Sequence, residues 1–145
     1  MENRKELGMN KIKFMGLALL CLVLTPLSSS AGRFDGSVPL LCAVIQVVEC
    51  DVGGECYPVQ PEIANIPRFL KINFKNKTIS ATEESGRTDT SQIKNIERAN
   101  GNLILQGSEN GRGWTMVISE ETGKMSATVS DDQAGFVVFG ATTTF

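Results

Sequence analysis

Residues equipped for acid, base, metal or nucleophile chemistry are few in this chain, and their spacing assigns most of them to turns. There is no histidine. That removes the Ser-His-Asp and Cys-His nucleophile arrangements and the common zinc ligand sets. Cys42 has no cationic neighbour in sequence to lower its pKa and activate it. Paired carboxylates occur at Glu83-Glu84, Glu120-Glu121 and Asp131-Asp132. Glycosidase-type hydrolysis needs two carboxyls facing each other across a cleft, whereas these are sequence neighbours in polar turns, where solvation is expected. Asp131-Asp132-Gln133 lacks the longer ligand spacing of a dedicated calcium loop. Residues 107–113 (GSENGRG) have the composition of a phosphate loop. The working motif follows a strand, opens a helix and ends in Gly-Lys-Ser/Thr. Here a strand follows and the lysine is missing, so a flexible hairpin loop is expected. Arg112 and Trp114 stand two apart and can share a face at a barrel mouth, holding a ligand's acidic or aromatic group. The alternative for Trp114 is core packing with its indole N–H satisfied nearby. Asn76-Lys77-Thr78 matches the N-glycosylation acceptor pattern and equally suits an ordinary turn. The residues imply no metal site and no cofactor.

The elements that must position these side chains read as short strands. Residues 99–129 alternate apolar runs with turn signals, the grammar of an antiparallel meander. Asn100-Gly101 is a strong hairpin signal, because a type I′ turn needs positive φ at both central residues. In residues 114–119, Trp114, Met116 and Ile118 share one face by the period-two rule. Glu120-Glu121-Thr122-Gly123 suits a turn closed by a left-handed glycine. Residues 124–129 return with Met125, Ala127 and Val129 on one face. Upstream, residues 39–50 (PLLCAVIQVVEC) are β-branched and read as a buried strand. Residues 56–59 can return beside it, with Pro58 restricted to an edge. Pro61 can open a single helical turn over 61–65. Strands follow at 69–74, 78–82 and 92–99. Ile93 and Ile96 fall on offset positions, which predicts a bulge. Residues 83–91 are polar and read as a solvated loop, 136–140 as the last strand and 141–145 as a tail. The fold class is therefore all-β: about eight short antiparallel strands closing into a barrel or a two-sheet sandwich, with at most one short helical turn. Closure removes the edges an open meander would leave. As read from the sequence the strands run nearer roughly 5–7 residues, shorter than the roughly 9–11 expected of a membrane-spanning strand.

Residues 1–31 read as an export signal: Lys11 and Lys13, an apolar run over 14–24, then Ser29-Ser30-Ala31 as a cleavage site. Met9 begins a more ordinary signal than Met1. The expected organisation is a signal peptide over 1–31 and a single β domain over 32–145. Cleavage removes four basic and two acidic side chains, leaving ten against fourteen and a net charge of −4. Such a domain offers no basic stripe for phosphate backbones, so nucleic acid is not an expected partner. No integral membrane span is expected once the signal is cleaved. An exported chain keeps disulfides. Cys50 and Cys56 flank Gly53-Gly54 symmetrically and can face each other across a hairpin as a non-hydrogen-bonded pair, within disulfide range. Cys42 is left over, as a small buried hydrophobe or as a thiol for intermolecular pairing.

Three stretches, FDGSVPLLCAVIQVVEC, IPRFLKINFKNKTISA and GNLILQGSENGRGWTMVISEETGKMSATV with its GFVVFG ending, resemble a group of small, exported, uncharacterised proteins of Gram-negative bacteria. The resemblance spans nearly the whole mature chain. It implies a periplasmic location and carries over no catalytic residue. It also implies a cysteine soon after the FGA segment, where this chain has Thr142, and so a reason for Cys42 to lack a partner.

The expected function is that of a non-enzymatic periplasmic or secreted β-domain that binds a small ligand or another envelope protein. An inhibitor of an envelope-directed enzyme, inserting residues 108–113, fits the same residues. So does a hydrolase using carboxylates alone. The hydrolase requires two acids distant in sequence to converge in a pocket near Trp114 or Arg112. The binding domain leaves its acids dispersed.

Overall fold

The computed structural model of the protein describes residues 34–144, so the expected signal peptide over 1–31 lies outside the described residues. The strands are β1 (Leu40–Asp51), β2 (Cys56–Val59), β3 (Phe69–Asn73), β4 (Thr78–Ala81), β5 (Thr90–Ala99), β6 (Asn102–Glu109), β7 (Arg112–Ser119), β8 (Lys124–Ser130) and β9 (Ala134–Thr144). One 3-10 turn, Glu83–Ser85, lies in the segment read as a solvated loop. The strand order is β2-β1-β3-β4-β5-β6-β7-β8-β9, every pairing is antiparallel, and β9 returns to β1. Eight strands thus close a barrel, and β2 is a short extra strand on the upper half of β1. Of the two architectures open to the sequence, the chain adopts the barrel.

The β1–β9 ladder that closes the barrel runs on into a segment expected to be a tail. Residues 141–144 continue β9, with Ala141 opposite Ala43 and Thr144 opposite Leu40. The threonine run has no apolar alternation to announce it, yet threonine is β-branched and suits a strand. A bulge in β1 between Val44 and Gln46 leaves Ile45 71% exposed on the outer wall. Gly140 lies opposite Val44 at this irregularity, and a Cβ there would sit 2.3 Å from the Ala43 carbonyl oxygen. Only glycine lets the two backbones pass this closely.

Period-two alternation sends Leu40, Cys42, Ile72, Leu103, Leu105 and Ile118 into the interior with no exposed surface. The expected bulge in β5 is present between Ile93 and Asn95. Asn100 and Gly101 have φ of 50° and 74°, as a type I′ turn requires. The same geometry recurs at Asn110 and Gly111, with φ of 50° and 79°. This shrinks the expected flexible loop over 107–113 to a two-residue turn, because Ser108 pairs with Gly113 and Glu109 with Arg112. The glycine content of that segment suggested a loop, but its Asn-Gly pair already supplied a complete turn. Pro58 sits in β2, which pairs only with β1, so its missing N–H breaks no second ladder. Residues 61–65 wrap into consecutive turns rather than a helix, and Ala64 N–H donates to the Gln60 carbonyl at 3.2 Å. Among the described residues no helix is long and apolar enough to cross a membrane.

The two ends of the barrel differ. Turns 74–77, 100–101 and 120–123 lie where β1 begins and β9 finishes. There Phe34 N–H donates to the Glu120 carbonyl at 3.3 Å, and Arg98 Nη2 donates to the Asp35 carbonyl at 2.5 Å. A Cβ at Gly123 would meet the Phe34 ring at 2.8 Å. The segment ahead of β1 therefore plugs this end. The other end carries the segment 60–68, the 3-10 turn, the Asn110-Gly111 turn and residues 131–133, and it holds an opening.

Candidate functional site

A cavity of about 210 Å³ enters the barrel at the unplugged end. Its depth is apolar: Met116, Met125, Ala127, Val129 and Val138 come from the inward positions of β7, β8 and β9. Leu70, Ile79, Ile66 and Pro67 face them from β3, β4 and the segment 60–68. That wall is open because β3 and β4 span only five and four residues, so the segment 60–68 fills the space above them. Trp114 forms the upper wall. Its Nε1–H donates to Ser91 Oγ at 2.9 Å, and Ser91 is buried. Trp114 lies directly opposite Gly107, where a Cβ would fall 2.2 Å from Trp114 Cζ2. The indole lies over a strand position that has no side chain. The indole N–H is satisfied by a core neighbour, and the ring lines the cavity.

The mouth is polar and charged, with Arg87, Asp89, Glu109, Asn110 and Arg112 around it. Arg87 Nε donates to Asp89 Oδ2, and Arg87 Nη2 reaches the Asn65 carbonyl at 3.4 Å. This ties the 82–89 segment to the 60–68 segment. Arg112 Nε donates to Asp131 Oδ2 at 3.1 Å, and its guanidinium carbon lies 5.2 Å from the centroid of the Phe136 ring. The Asp131 carboxylate accepts the backbone N–H groups of Gln133 and Ala134, each at 2.9 Å. These bonds, with the Arg112 charge beside them, hold the Asp131 pKa below its ordinary value.

Arg112 and Trp114 therefore do share one opening, as their spacing suggests. Of the carboxylate pairs noted in the sequence, none lines the cavity. The acids that do are Asp89 and Glu109, from a loop and a hairpin end, and sequence reasoning missed both together with Arg87, Ser91 and the 65–67 segment. Ser91 continues the inward alternation of Ile93 and was legible in that sense. The others are brought together by closure of the barrel and carry no local signal.

Cys50 and Cys56 form a disulfide at directly paired positions of β1 and β2, with Cα atoms 4.1 Å apart. The neighbouring pair is hydrogen bonded, Asp51 N–H to the Glu55 carbonyl at 3.0 Å, so the cysteines occupy the non-hydrogen-bonded site expected for them. The bridge lies apart from the cavity lining. Cys42 is free and buried, and burial pushes its thiol pKa up to about 12. It faces Thr142 across the β1–β9 ladder. Thr142 Oγ1 donates to the Gly123 carbonyl at 2.9 Å. Among the described residues no group of three His, Cys, Asp or Glu side chains is placed to hold a metal ion.

Set against protein-family models, curated proteins and solved structures, the chain finds no match in any of the three.

Proposed function

We propose that the domain is a small-molecule binding barrel of the bacterial envelope that acts without catalysis. The observation that carries this is the cavity itself: an apolar interior of about 210 Å³ beneath a ring of charged side chains. Ligand sites take this form, with apolar walls for affinity and a few polar groups for orientation. An apolar cavity of about 150 Å³ accepts benzene, so this one suits an apolar body a few atoms larger. The leader pattern over 1–31 and the Cys50–Cys56 bond support an exported location.

Native mass spectrometry of the protein taken from the envelope fraction, without refolding, tests the reading. A non-covalent adduct is expected on the wild-type protein. Ala127→Leu fills the cavity from its depth without touching a polar group, and should abolish the adduct. A bare mass, together with no thermal shift from a panel of small apolar compounds, would overturn the proposal.

A carboxylate hydrolase is the second reading, favoured by one observation. Asp89 and Glu109 are distant in sequence and both line the mouth beside Trp114 and Arg112. It ranks second because Asp89 is already committed to Arg87. Turnover of an aryl glycoside that disappears in Glu109→Gln would reverse the order.

A further inference from the structure

Resting on the binding reading above, we propose that the cavity selects its ligand by charge, taking an apolar body with a cationic amine head received by Glu109. Four charged side chains line the mouth: Arg87, Asp89, Glu109 and Arg112. Both guanidinium groups already have a carboxylate, Arg87 with Asp89 and Arg112 with Asp131. Arg112 is further fixed over the Phe136 ring. Glu109 pairs in register with Arg112 across the Asn110-Gly111 turn, yet the guanidinium turns to Asp131 instead. Among the described residues, the Glu109 side chain has no hydrogen bond and no ion pair. Of the four charged side chains that line the cavity, Glu109 is therefore the one without a partner.

That charge is half-buried at the rim of an apolar cavity, where electrostatic interactions are stronger than in open water. An ammonium entering head-last would meet Glu109 at the rim while its apolar body occupied the space between Trp114 and Met125. A carboxylate head would meet the same unpaired charge as a repulsion. It could reach Arg112 only by competing with Asp131. The sequence spacing of Arg112 and Trp114 suggests a ligand with an acidic or aromatic group. With Asp131 from the β8–β9 turn occupying the arginine, a cationic head is the one this mouth favours.

The test follows fluorescence of Trp114, the single tryptophan, in the full-length chain as recovered from expressing cells. It is titrated at low salt with 2-phenylethylamine, 2-phenylethanol and phenylacetate, which share a body and differ in head charge. The amine should bind about two- to fivefold more tightly than the alcohol, the range of a partly exposed ion pair. Phenylacetate should bind more weakly than the alcohol, and added salt should narrow both gaps. In Glu109→Gln the advantage of the amine should vanish while the alcohol binds as before. Alcohol binding with no preference for the amine, or a preference that survives Glu109→Gln, would overturn the charge proposal and leave the cavity reading intact. If none of the three binds, the cavity reading falls and the charge proposal falls with it.

Discussion

Gly107→Ala is the perturbation whose cost can be worked most directly from the structure. Gly107 does not have the positive φ that only glycine adopts easily, so an alanine can take its backbone conformation. The obstacle is space. The new Cβ would fall 2.2 Å and 2.6 Å from Trp114 Cζ2 and Cε2, and 2.5 Å from the Gln92 carbonyl oxygen. Ordinary contact begins more than an ångström further out, so the indole must move by about that distance. The Gln92 carbonyl belongs to β5 and cannot retreat as a side chain can. Overpacking of this kind costs about 1–3 kcal/mol. Displacing the indole also breaks or weakens the bond from Nε1 to Ser91, worth about 1 kcal/mol. Reduced freedom of the unfolded chain returns about 0.4–1 kcal/mol. The net loss is about 1–3.5 kcal/mol, and at roughly 4 °C per kcal/mol for a domain of this size the melting temperature should fall by about 4–14 °C. Urea unfolding followed by tryptophan emission measures the loss, and native emission should shift to the red. In a Trp114→Ala background, which lacks tryptophan and is followed by circular dichroism, the same substitution should cost at least about 1 kcal/mol less, leaving the Gln92 contact as the remainder. A Gly107→Ala protein within about 0.5 kcal/mol of wild type, with unshifted emission, would refute the packing argument.

Three further outcomes are expected. Ile118→Asp puts an unpaired charge at a position with no exposed surface and should leave the domain unfolded at room temperature by circular dichroism, a loss above about 4 kcal/mol. Burial raises the Cys42 thiol from 9.0 to about 12, so its contribution is fully present below pH 9 and is lost as pH rises towards 12. The unfolded chain releases the proton first, lowering stability by about 1.4 kcal/mol at pH 10. Urea melts should show this alkaline slope in wild type and lose that part of it in Cys42→Ala. Thr142→Cys should close a second disulfide, because the Thr142 N–H donates to the Gly123 carbonyl, away from β1, and leaves it non-hydrogen-bonded towards Cys42. Intact mass should lie four hydrogens below that of the fully reduced variant, two for each disulfide, and stability should rise by about 2–4 kcal/mol.

Where the sequence states its structure locally, it could be read locally. Asn100-Gly101 needs only its own two residues to specify a turn. The offset of Ile93 and Ile96 shows a bulge without reference to the partner strand. Cys50 and Cys56 are close in sequence, so their pairing followed from the length of one hairpin. The closing ladder is of another kind. Nothing within residues 141–144 says that Leu40 to Ala43 will be opposite, because that partner lies at the far end of the domain. The mouth has the same character: Asp89, Glu109 and Asp131 come from three separate connections. Their proximity is a property of the closed barrel, as is the pairing of Arg112 with Asp131, which decides the sign of the free charge.

The β1–β9 ladder joins the first strand of the barrel to the last, and it is the longest ladder in the molecule. Strands β4 to β9 can form as successive hairpins while the chain emerges, each against its immediate predecessor. The outer edge of β1 has no such option and waits for residues made about a hundred positions later. Closing so large a loop is slow. Until then, the backbone donors and acceptors along two strands stay unsatisfied and open to other chains. Completion of this domain is therefore a timing event set by its last strand. Until β9 arrives, the sheet stays open and the cavity unfinished.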